Sequence, residues 1–201
     1  MLSLIMDTSN QYLLVSLYED GKCLEAKQEL GSKRQSENAI PYLAEILKNQ
    51  NKELLDIDEM IITRGPGSYT GERVAMTIAK TLSVVSSVKI KAISSLAAYA
   101  GMDDCISVID ARSKKVFACC YSGGKALCDE QLVEVSEFPH LIAKYPHMRV
   151  VGQSEVVGYP NEEVDLAQNI YELSKEAEVI ENVDALVPRY LKDVEAKKIC
   201  L

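Results

Sequence analysis

The segment with the most chemical potential runs from Arg64 to Arg73 and reads Arg-Gly-Pro-Gly-Ser-Tyr-Thr-Gly-Glu-Arg. It lies between an apolar run of strand length and a helical pattern, and a helix N-terminus preceded by glycines binds anions readily. It is not a Walker A loop, because no Lys-Ser or Lys-Thr follows the last glycine. The spacing is consistent with a ligand or partner loop and equally with a tight structural turn in which Ser68 or Thr70 caps the helix. The candidate loop residues are Arg64, Gly65, Gly67, Ser68, Thr70, Gly71 and Arg73.

Asp7 is a further candidate, because it ends an apolar run and precedes the turn residues Thr-Ser-Asn. In folds that cradle ATP phosphates such a turn favours glycine, since backbone N–H groups must approach the anion closely. Neither this turn nor the later one that follows Asp110 contains glycine. Two interpretations remain: a nucleotide site with Asp7 near a metal, or a relic in which Asp7 and Asp110 only cap their turns.

Hydrolytic catalysis has little support in the sequence. The two histidines, His140 and His147, belong to no metal-binding pattern such as HExxH, and no GxSxG elbow is present. We therefore predict no catalytic residue, no metal site and no intrinsic cofactor. The isolated protein should show no peptidase activity and negligible ATP turnover.

An internal repeat indicates the fold that positions these residues. Residues 4–30 align without gaps on residues 107–133, and each copy reads as three strands joined by hairpin turns. Several identities at one offset favour a true duplication. The identical pairs are Asp7 and Asp110, Tyr18 and Tyr121, Gly21 and Gly124, Lys22 and Lys125, Leu24 and Leu127, and Gln28 and Gln131.

The hydrophobic periodicity after each set of three strands predicts alternating helices and strands. Three antiparallel strands followed by β/α units are the ribonuclease H-like plan, and two copies give the actin, sugar kinase and Hsp70 type of α/β fold. We predict an N-terminal domain at 1–101, which carries the dimerisation helices, and a shortened second domain at 102–201. The predicted helices cover residues 36–49, 71–88, 94–100, 136–144 and 164–177, and the predicted strands after the hairpins cover 59–63, 90–93 and 148–152.

The helix after the central loop carries small residues at a spacing of three to four, beside large apolar ones. Small residues in such a row let two helices approach closely, within one subunit or between two. We predict that this helix and the first one form a self-complementary dimer interface, so that Ala79→Arg would abolish pairing and leave the monomer folded. The predicted interface residues are Ala39, Tyr42, Leu43, Ile46, Ala75, Ala79 and Ser83.

Composition excludes several classes of protein. The chain is 47% apolar and 26% charged, which is typical of a soluble globular protein. Its net charge of −8 argues against tight binding of tRNA by this chain alone, since that binding needs a surplus of Lys and Arg. No apolar run approaches the roughly 20 residues that span a bilayer, no signal peptide is predicted, and the six cysteines lack ligand spacing. A cytoplasmic location is expected.

Four segments together resemble the TsaB (YeaZ) family: residues 5–9, 64–73, 109–112 and 188–191. The family pattern opens with IDTS or IDTA, continues with GRGPGSFTGxR and IDAR, and closes with PxYLR. The resemblance covers nearly the whole chain. It implies a non-catalytic scaffold that pairs with TsaD and helps recruit the ATPase TsaE. Together they carry out N6-threonylcarbamoylation of adenosine 37 in tRNAs that read codons starting with A.

The resemblance has further implications. TsaD holds its metal through HxxxH on the first helix, and residues 35–41 here contain no histidine, which implies that this metal site is absent. ATP or ADP would bind only at the partner interface, tRNA only through the complex, and the free protein would be a homodimer. The departures from the pattern are Thr63, Tyr69, Glu72 and Lys192. The alternatives are a stand-alone actin-fold ATPase or kinase, and a homodimeric regulatory protein.

Overall fold

A computed structural model describes residues 1–31 and 35–191. Its first sheet is formed by β1 (Leu2–Asp7), β2 (Tyr12–Glu19), β3 (Lys22–Leu30), β4 (Glu59–Thr63) and β5 (Lys89–Ile93). The strand order is β3-β2-β1-β4-β5, with the first three strands antiparallel and β1, β4 and β5 parallel. All residues of β1 and β4 are buried, as central strands covered on both faces require.

Three helices belong to this half of the chain: α1 (Gln35–Asn49), α2 (Tyr69–Val85) and α3 (Ser95–Ala100). The apolar stripes of α1 and α2, which include Leu43, Ile46 and Leu82, bury one face of the sheet together with Met6 and Met60. α3 lies on the other face. The order of elements, three strands and then alternating helices and strands, agrees with the prediction.

The second sheet contains β6 (Cys105–Arg112), β7 (Lys115–Ser122), β8 (Lys125–Ala126), β9 (Gln131–Glu134) and β10 (Arg149–Gly152). Its order is β10-β6-β7-β8, and β9 pairs with the opposite end of β7. Two helices follow in this half, α4 (Phe138–Lys144) and α5 (Leu166–Ser174).

The elements stack in five layers. Helices α1 and α2 cover the outer face of the first sheet, and α4 covers the outer face of the second, where Phe138 packs with Ile106 and Val108. Between the two sheets lie α3 and α5, whose residues share one buried cluster with Ile5 of the first sheet and Phe117 of the second. The predicted duplicated ribonuclease H-like fold is therefore confirmed.

The two halves keep a common hairpin register but differ in their third strand. β2 and β3 pair Glu19 with Lys22, and β7 and β8 pair Ser122 with Lys125, which is the same register 103 residues later. The prediction of a single third strand in the second half is wrong. That strand is divided into β8 and β9 around residues 127–130, which contain Asp129, a residue with low β-propensity.

The chain after β10 returns to the first sheet. In α5 the ring of Tyr171 stacks on that of Tyr18 with their centroids 4.3 Å apart. Further along, the Ile180 N–H donates to the Ile90 carbonyl at 2.9 Å, and Leu186 is buried in the cluster beneath α1 and α2. The chain therefore crosses from the first sheet to the second between α3 and β6. Residues 164–186 then return and pack against the first sheet.

Candidate functional site

The Arg64–Arg73 segment runs from the end of β4 into the first turn of α2 and lies against the β1–β2 turn. The Ser68 hydroxyl caps α2 by accepting from the Gly71 N–H at 3.3 Å, as one of the two sequence interpretations anticipates. The Ser68 N–H donates to the Ser9 carbonyl at 2.6 Å. The Thr8 hydroxyl donates to the Gly71 carbonyl at 2.6 Å. Main-chain groups of the segment are therefore held by the Ser9 carbonyl and the Thr8 hydroxyl of the first hairpin.

Two glycines of the segment are required by how closely the chains approach. A Cβ at Gly67 would lie 2.2 Å from the Ser9 carbonyl oxygen, and one at Gly71 would lie 1.9 Å from that of Thr8. Both distances are far below van der Waals contact. The glycines of the motif thus have a packing function that needs no bound anion to explain it.

Asp7, which the sequence placed among the ligand or partner loop residues, is completely buried. One carboxylate oxygen accepts from the Ser9 N–H and hydroxyl at 2.7 Å each and from the Thr63 hydroxyl at 2.5 Å. The other oxygen accepts from the Asn10 amide. Burial raises the pKa of Asp7 above its ordinary value, while the hydrogen bonds from Thr63, Ser9 and Asn10 oppose that shift. These contacts favour the turn-capping interpretation over a metal near Asp7.

The half of the molecule built on the first sheet and the half built on the second form two lobes, and a cleft of about 1000 Å³ lies between them. The cleft borders the β1–β2 turn. The predicted loop contributes Ser68 and Thr70 to its wall, and the second hairpin contributes Asp110 and Arg112. The Arg112 N–H donates to the Asp110 carboxylate at 2.7 Å, the same local pattern that Ser9 and Asp7 form in the first hairpin. The two turns of the repeat therefore face the same cleft, but only the second presents its carboxylate to the solvent.

The central and closing motifs meet at the rim of this cleft. The ring of Tyr69 stacks on that of Tyr190 at 5.3 Å between centroids, and the Arg73 guanidinium lies 3.9 Å from the Tyr69 centroid. The Arg73 Nε–H donates to the Tyr190 hydroxyl at 3.0 Å. The Arg189 N–H donates to the Arg64 carbonyl at 2.8 Å. This cluster was not predicted from the sequence, although Tyr69 lies in the central motif and Tyr190 in the closing one.

Glu72 is buried, with only 1% of its surface exposed. Its carboxylate lies against Gly65, whose φ of +97° and missing Cβ leave the space that this side chain fills. Within residues 1–31 and 35–191, no group forms a hydrogen bond with its Oε2 atom. Burial raises the pKa of Glu72 to about 7, against the effect of the Gly67 N–H hydrogen bond, and the negative charge of Asp7 raises it further. The charged form is therefore unfavourable in the folded protein.

We expect Glu72→Gln to remove a pH dependence of stability. A carboxyl whose folded pKa lies above its unfolded value binds its proton more tightly in the native state. It therefore destabilises the fold progressively as the pH rises from about 4.5 to about 7. The free energy of unfolding can be measured with urea at pH 5 and at pH 8. Between these two values it should fall by on the order of 2 kcal/mol more in the wild type than in the variant.

The matched control is Glu155→Gln, which neutralises an exposed carboxylate at the same cleft. It should leave the difference between the two pH values as in the wild type. An equal loss of stability in wild type and Glu72→Gln would show that the pKa of this carboxyl is the same in the folded and unfolded states.

The predicted interface residues lie mostly inside the subunit, which corrects their description as a surface patch. Ala39, Leu43, Ile46, Ala75 and Ala79 are buried in the core beneath α1 and α2. Only Tyr42 and Ser83 are partly exposed. The reason is that the small residues allow α1 and α2 to approach each other within one subunit while both pack on the sheet.

A shallow apolar groove lies on the outer surface over this core. It has a volume of about 410 Å³, and Ile40 at its edge is 53% exposed. Tyr69 and Thr70 border both the groove and the interlobe cleft, so the two depressions adjoin. The residues that line the groove are Ser36, Ile40, Tyr69, Thr70, Arg73, Val74, Thr77 and Ile78.

Within residues 1–31 and 35–191, no three His, Cys, Asp or Glu side chains converge in a way that could hold a metal ion. In the same part of the chain, none of the helices combines the length and the apolar character needed to cross a membrane. Lys192, the departure from the closing motif, lies outside the described residues.

Fold and site define a duplicated ribonuclease H-like protein that has a cleft between its lobes. In this protein Asp7, the aspartate of the first hairpin, is buried. The family model described as TsaD, tRNA N6-adenosine threonylcarbamoyltransferase, matches residues 28–200. The chain belongs to this family.

Relatives of the chain are named TsaB, which confirms the resemblance seen in the motifs. The tRNA threonylcarbamoyladenosine biosynthesis protein TsaB of Bacillus subtilis is 27% identical over 96% of this chain and 95% of its own length. The protein of that name from Escherichia coli is 30% identical over 57% of this chain and 52% of its own length. Among solved structures, YeaZ from Pseudomonas aeruginosa shares the fold with a TM-score of 0.74 at 19% identity, covering 94% of this chain and 99% of that one.

Proposed function

We propose that the protein is a non-catalytic, partner-binding subunit in the biosynthesis of threonylcarbamoyladenosine at position 37 of tRNA. Family membership and the TsaB names of its relatives support a role in this biosynthesis. The proposed partner is TsaD, with TsaE joining the pair, as the resemblance to TsaB implies. The observation that carries the proposal is the exposed apolar groove over α1 and α2.

The groove has the properties of a docking surface for a helix. Ile40 is exposed on α1, while Val74 and Ile78 of α2 are half-buried and pack on the core below. A contiguous apolar surface rimmed by polar residues, here Ser36 and Thr77, is typical of a protein interaction site. Because a related subunit of the same fold presents equivalent helices, one surface serves both a homodimer and a pair with TsaD.

The non-catalytic role is supported by the first hairpin. A phosphate-binding turn needs free N–H groups and an accessible acid, whereas Asp7 is buried and its carboxylate is engaged by Ser9, Asn10 and Thr63. We propose that any ATP or ADP binds at the partner interface, where Tyr69 and Thr70 border both the cleft and the groove. With a net charge of −8, the chain would contact tRNA only through the complex, in the cytoplasm.

The test is Ile40→Arg, assayed by co-purification with TsaD and by sedimentation of the isolated protein. A charged side chain in a desolvated apolar seam costs roughly 2–5 kcal/mol, so the affinity for TsaD should fall by about 30-fold or more. The melting temperature should stay close to that of the wild type, because the replaced side chain is more than half exposed.

Leu55→Arg is the control, since it makes the same change at a side chain that is 67% exposed and lies outside the groove. It should pair with TsaD normally. Undiminished capture of TsaD by Ile40→Arg would place the interface elsewhere. Steady ATP turnover by the isolated wild type would favour the stand-alone ATPase instead.

A further inference from the structure

Two free cysteines lie side by side in the second lobe, away from the cleft and the groove. Cys119 is completely buried on β7, and Cys128 is half-buried in the connection between β8 and β9. Their Sγ atoms are 3.9 Å apart, and the Cys119 thiol donates to the Cys128 carbonyl at 3.2 Å. Neither residue has a part in the function proposed above.

The hairpin of β7 and β8 brings Cys128 back alongside β7. The two strands pair Ser122 with Lys125 and then Tyr121 with Ala126. The Leu127 N–H donates to the Cys120 carbonyl at 2.8 Å, which adds one hydrogen bond beyond the paired residues. Cys128 follows directly, in the irregular segment between β8 and β9 that lies opposite Cys119.

The side chains bring the two sulfur atoms close to each other. Their separation of 3.9 Å compares with about 2.05 Å in a disulfide, so the sulfurs have to approach by roughly 2 Å for a covalent bond to form. Cys128 lies in the irregular segment between β8 and β9, where a shift of the chain breaks no paired strand.

We propose that Cys119 and Cys128 form a reversible intramolecular disulfide when the protein meets a low-molecular-weight disulfide such as oxidised glutathione. The half-buried Cys128 thiolate attacks one sulfur of glutathione disulfide and expels one glutathione thiolate. The Cys119 thiolate then attacks the Cys128 sulfur of the mixed disulfide and expels the second glutathione. Two protein thiols are oxidised, and one glutathione disulfide is reduced to two glutathione molecules.

Accessibility sets the order of the two steps. Burial keeps an external oxidant away from the Cys119 thiol. It also raises the pKa of this thiol to about 12, so that little of the reactive thiolate is present. Inside the mixed disulfide its target is adjacent, and proximity compensates for its low thiolate fraction. Cys120 is the competing partner, because Cys128 also packs against the cluster on the opposite face of the sheet, where Cys120 is buried.

The disulfide would restrain residues 128–130, a segment that contacts Arg189 in the wall of the cleft. Glu130 follows Cys128 by two residues, accepts from the Tyr121 hydroxyl at 2.7 Å and pairs with the Arg189 guanidinium at 3.0 Å. Arg189 in turn holds the Arg64 carbonyl at the cleft rim. Oxidation would therefore act on the contact through which the closing motif reaches the central one.

The test is peptide mapping of the full chain after incubation with glutathione disulfide, alkylation of remaining thiols and digestion with trypsin. Cys119 and Cys120 fall in the peptide of residues 116–125, and Cys128 falls in that of residues 126–144. We expect these two peptides to be linked with the loss of two hydrogens and to separate again after reduction. The exposed Cys23 should acquire a single glutathione and report that the oxidant was active.

Cys119→Ser and Cys120→Ser assign the partner. The linked peptides should persist in Cys120→Ser, disappear in Cys119→Ser, and be replaced there by glutathione on Cys128. Cys128→Ser, a change at a half-buried position, should also abolish the link while circular dichroism stays as in the wild type. Linkage that survives in Cys119→Ser, or its absence in the wild type while Cys23 is modified, would overturn the proposal.

Discussion

Ala79→Arg should prevent the protein from folding stably, in contrast to the intact monomer that the sequence pattern predicted. Ala79 has no exposed surface and lies among the side chains between α1, α2 and the first sheet. An arginine there needs space that the core lacks, and it buries an unpaired charge. Each effect costs several kcal/mol against a typical total stability of about 5–15 kcal/mol. Circular dichroism and thermal melting should show a largely unfolded or aggregated chain.

Val84→Arg is the control for this substitution. It introduces the same charge on α2 at a side chain that is exposed to solvent. Its melting temperature should stay close to that of the wild type. A folded Ala79→Arg protein that has merely lost its partner would restore the original interface prediction, since that outcome requires Ala79 to face outwards.

Gly71→Ala should destabilise the fold by about 3 kcal/mol, although alanine is the better helix former by about 1 kcal/mol. The added methyl group would lie 1.9 Å from the Thr8 carbonyl oxygen, so α2 must move away from the β1–β2 turn. That movement disturbs two hydrogen bonds of the Thr8 hydroxyl, at 2.6 Å to the Gly71 carbonyl and at 3.2 Å from the Ala75 N–H. Urea unfolding monitored by circular dichroism measures the loss.

Gly123→Ala separates this steric effect from glycine effects in general. Gly123 has a φ of +55°, but in the part of the chain that the structure describes no atom lies within 4 Å of the Cβ that it would gain. Its replacement should cost about 1 kcal/mol for the left-handed backbone alone. Equal costs at both positions would contradict the close packing inferred for Gly71.

The architecture was predictable because the pattern of the chain is repeated and strongly periodic. Asp7 ends β1, Asp110 lies two residues before the end of β6, and Gly21 and Gly124 form equivalent turns, so a single offset revealed both halves. The bounds of β4 agree with the predicted strand at 59–63. Hydrophobic periodicity identifies which elements form, because burial of one face is what stabilises them.

The site was less predictable, because its main features depend on contacts between distant segments. A row of small residues such as Ala75 and Ala79 has the same spacing whether it packs on a neighbouring helix of its own subunit or on another subunit. Arg73 and Tyr190 are 117 residues apart in the chain, so their contact leaves no local signal. In the sequence Glu72 resembles an exposed charge in a loop. The structure shows that its carboxylate occupies the space left by the missing Cβ of Gly65, which is why it is buried.

The return of residues 164–186 to the first lobe has a consequence for synthesis on the ribosome. All strands of the first sheet have been made once Ile93 is translated, yet Tyr171, Ile180 and Leu186 still have to be added before the cores on its two faces are complete. At about 5–20 residues per second, the nascent chain exposes part of this apolar surface for several seconds. We expect that interval, rather than the lifetime of the finished protein, to be the period of greatest exposure to aggregation and to capture by chaperones.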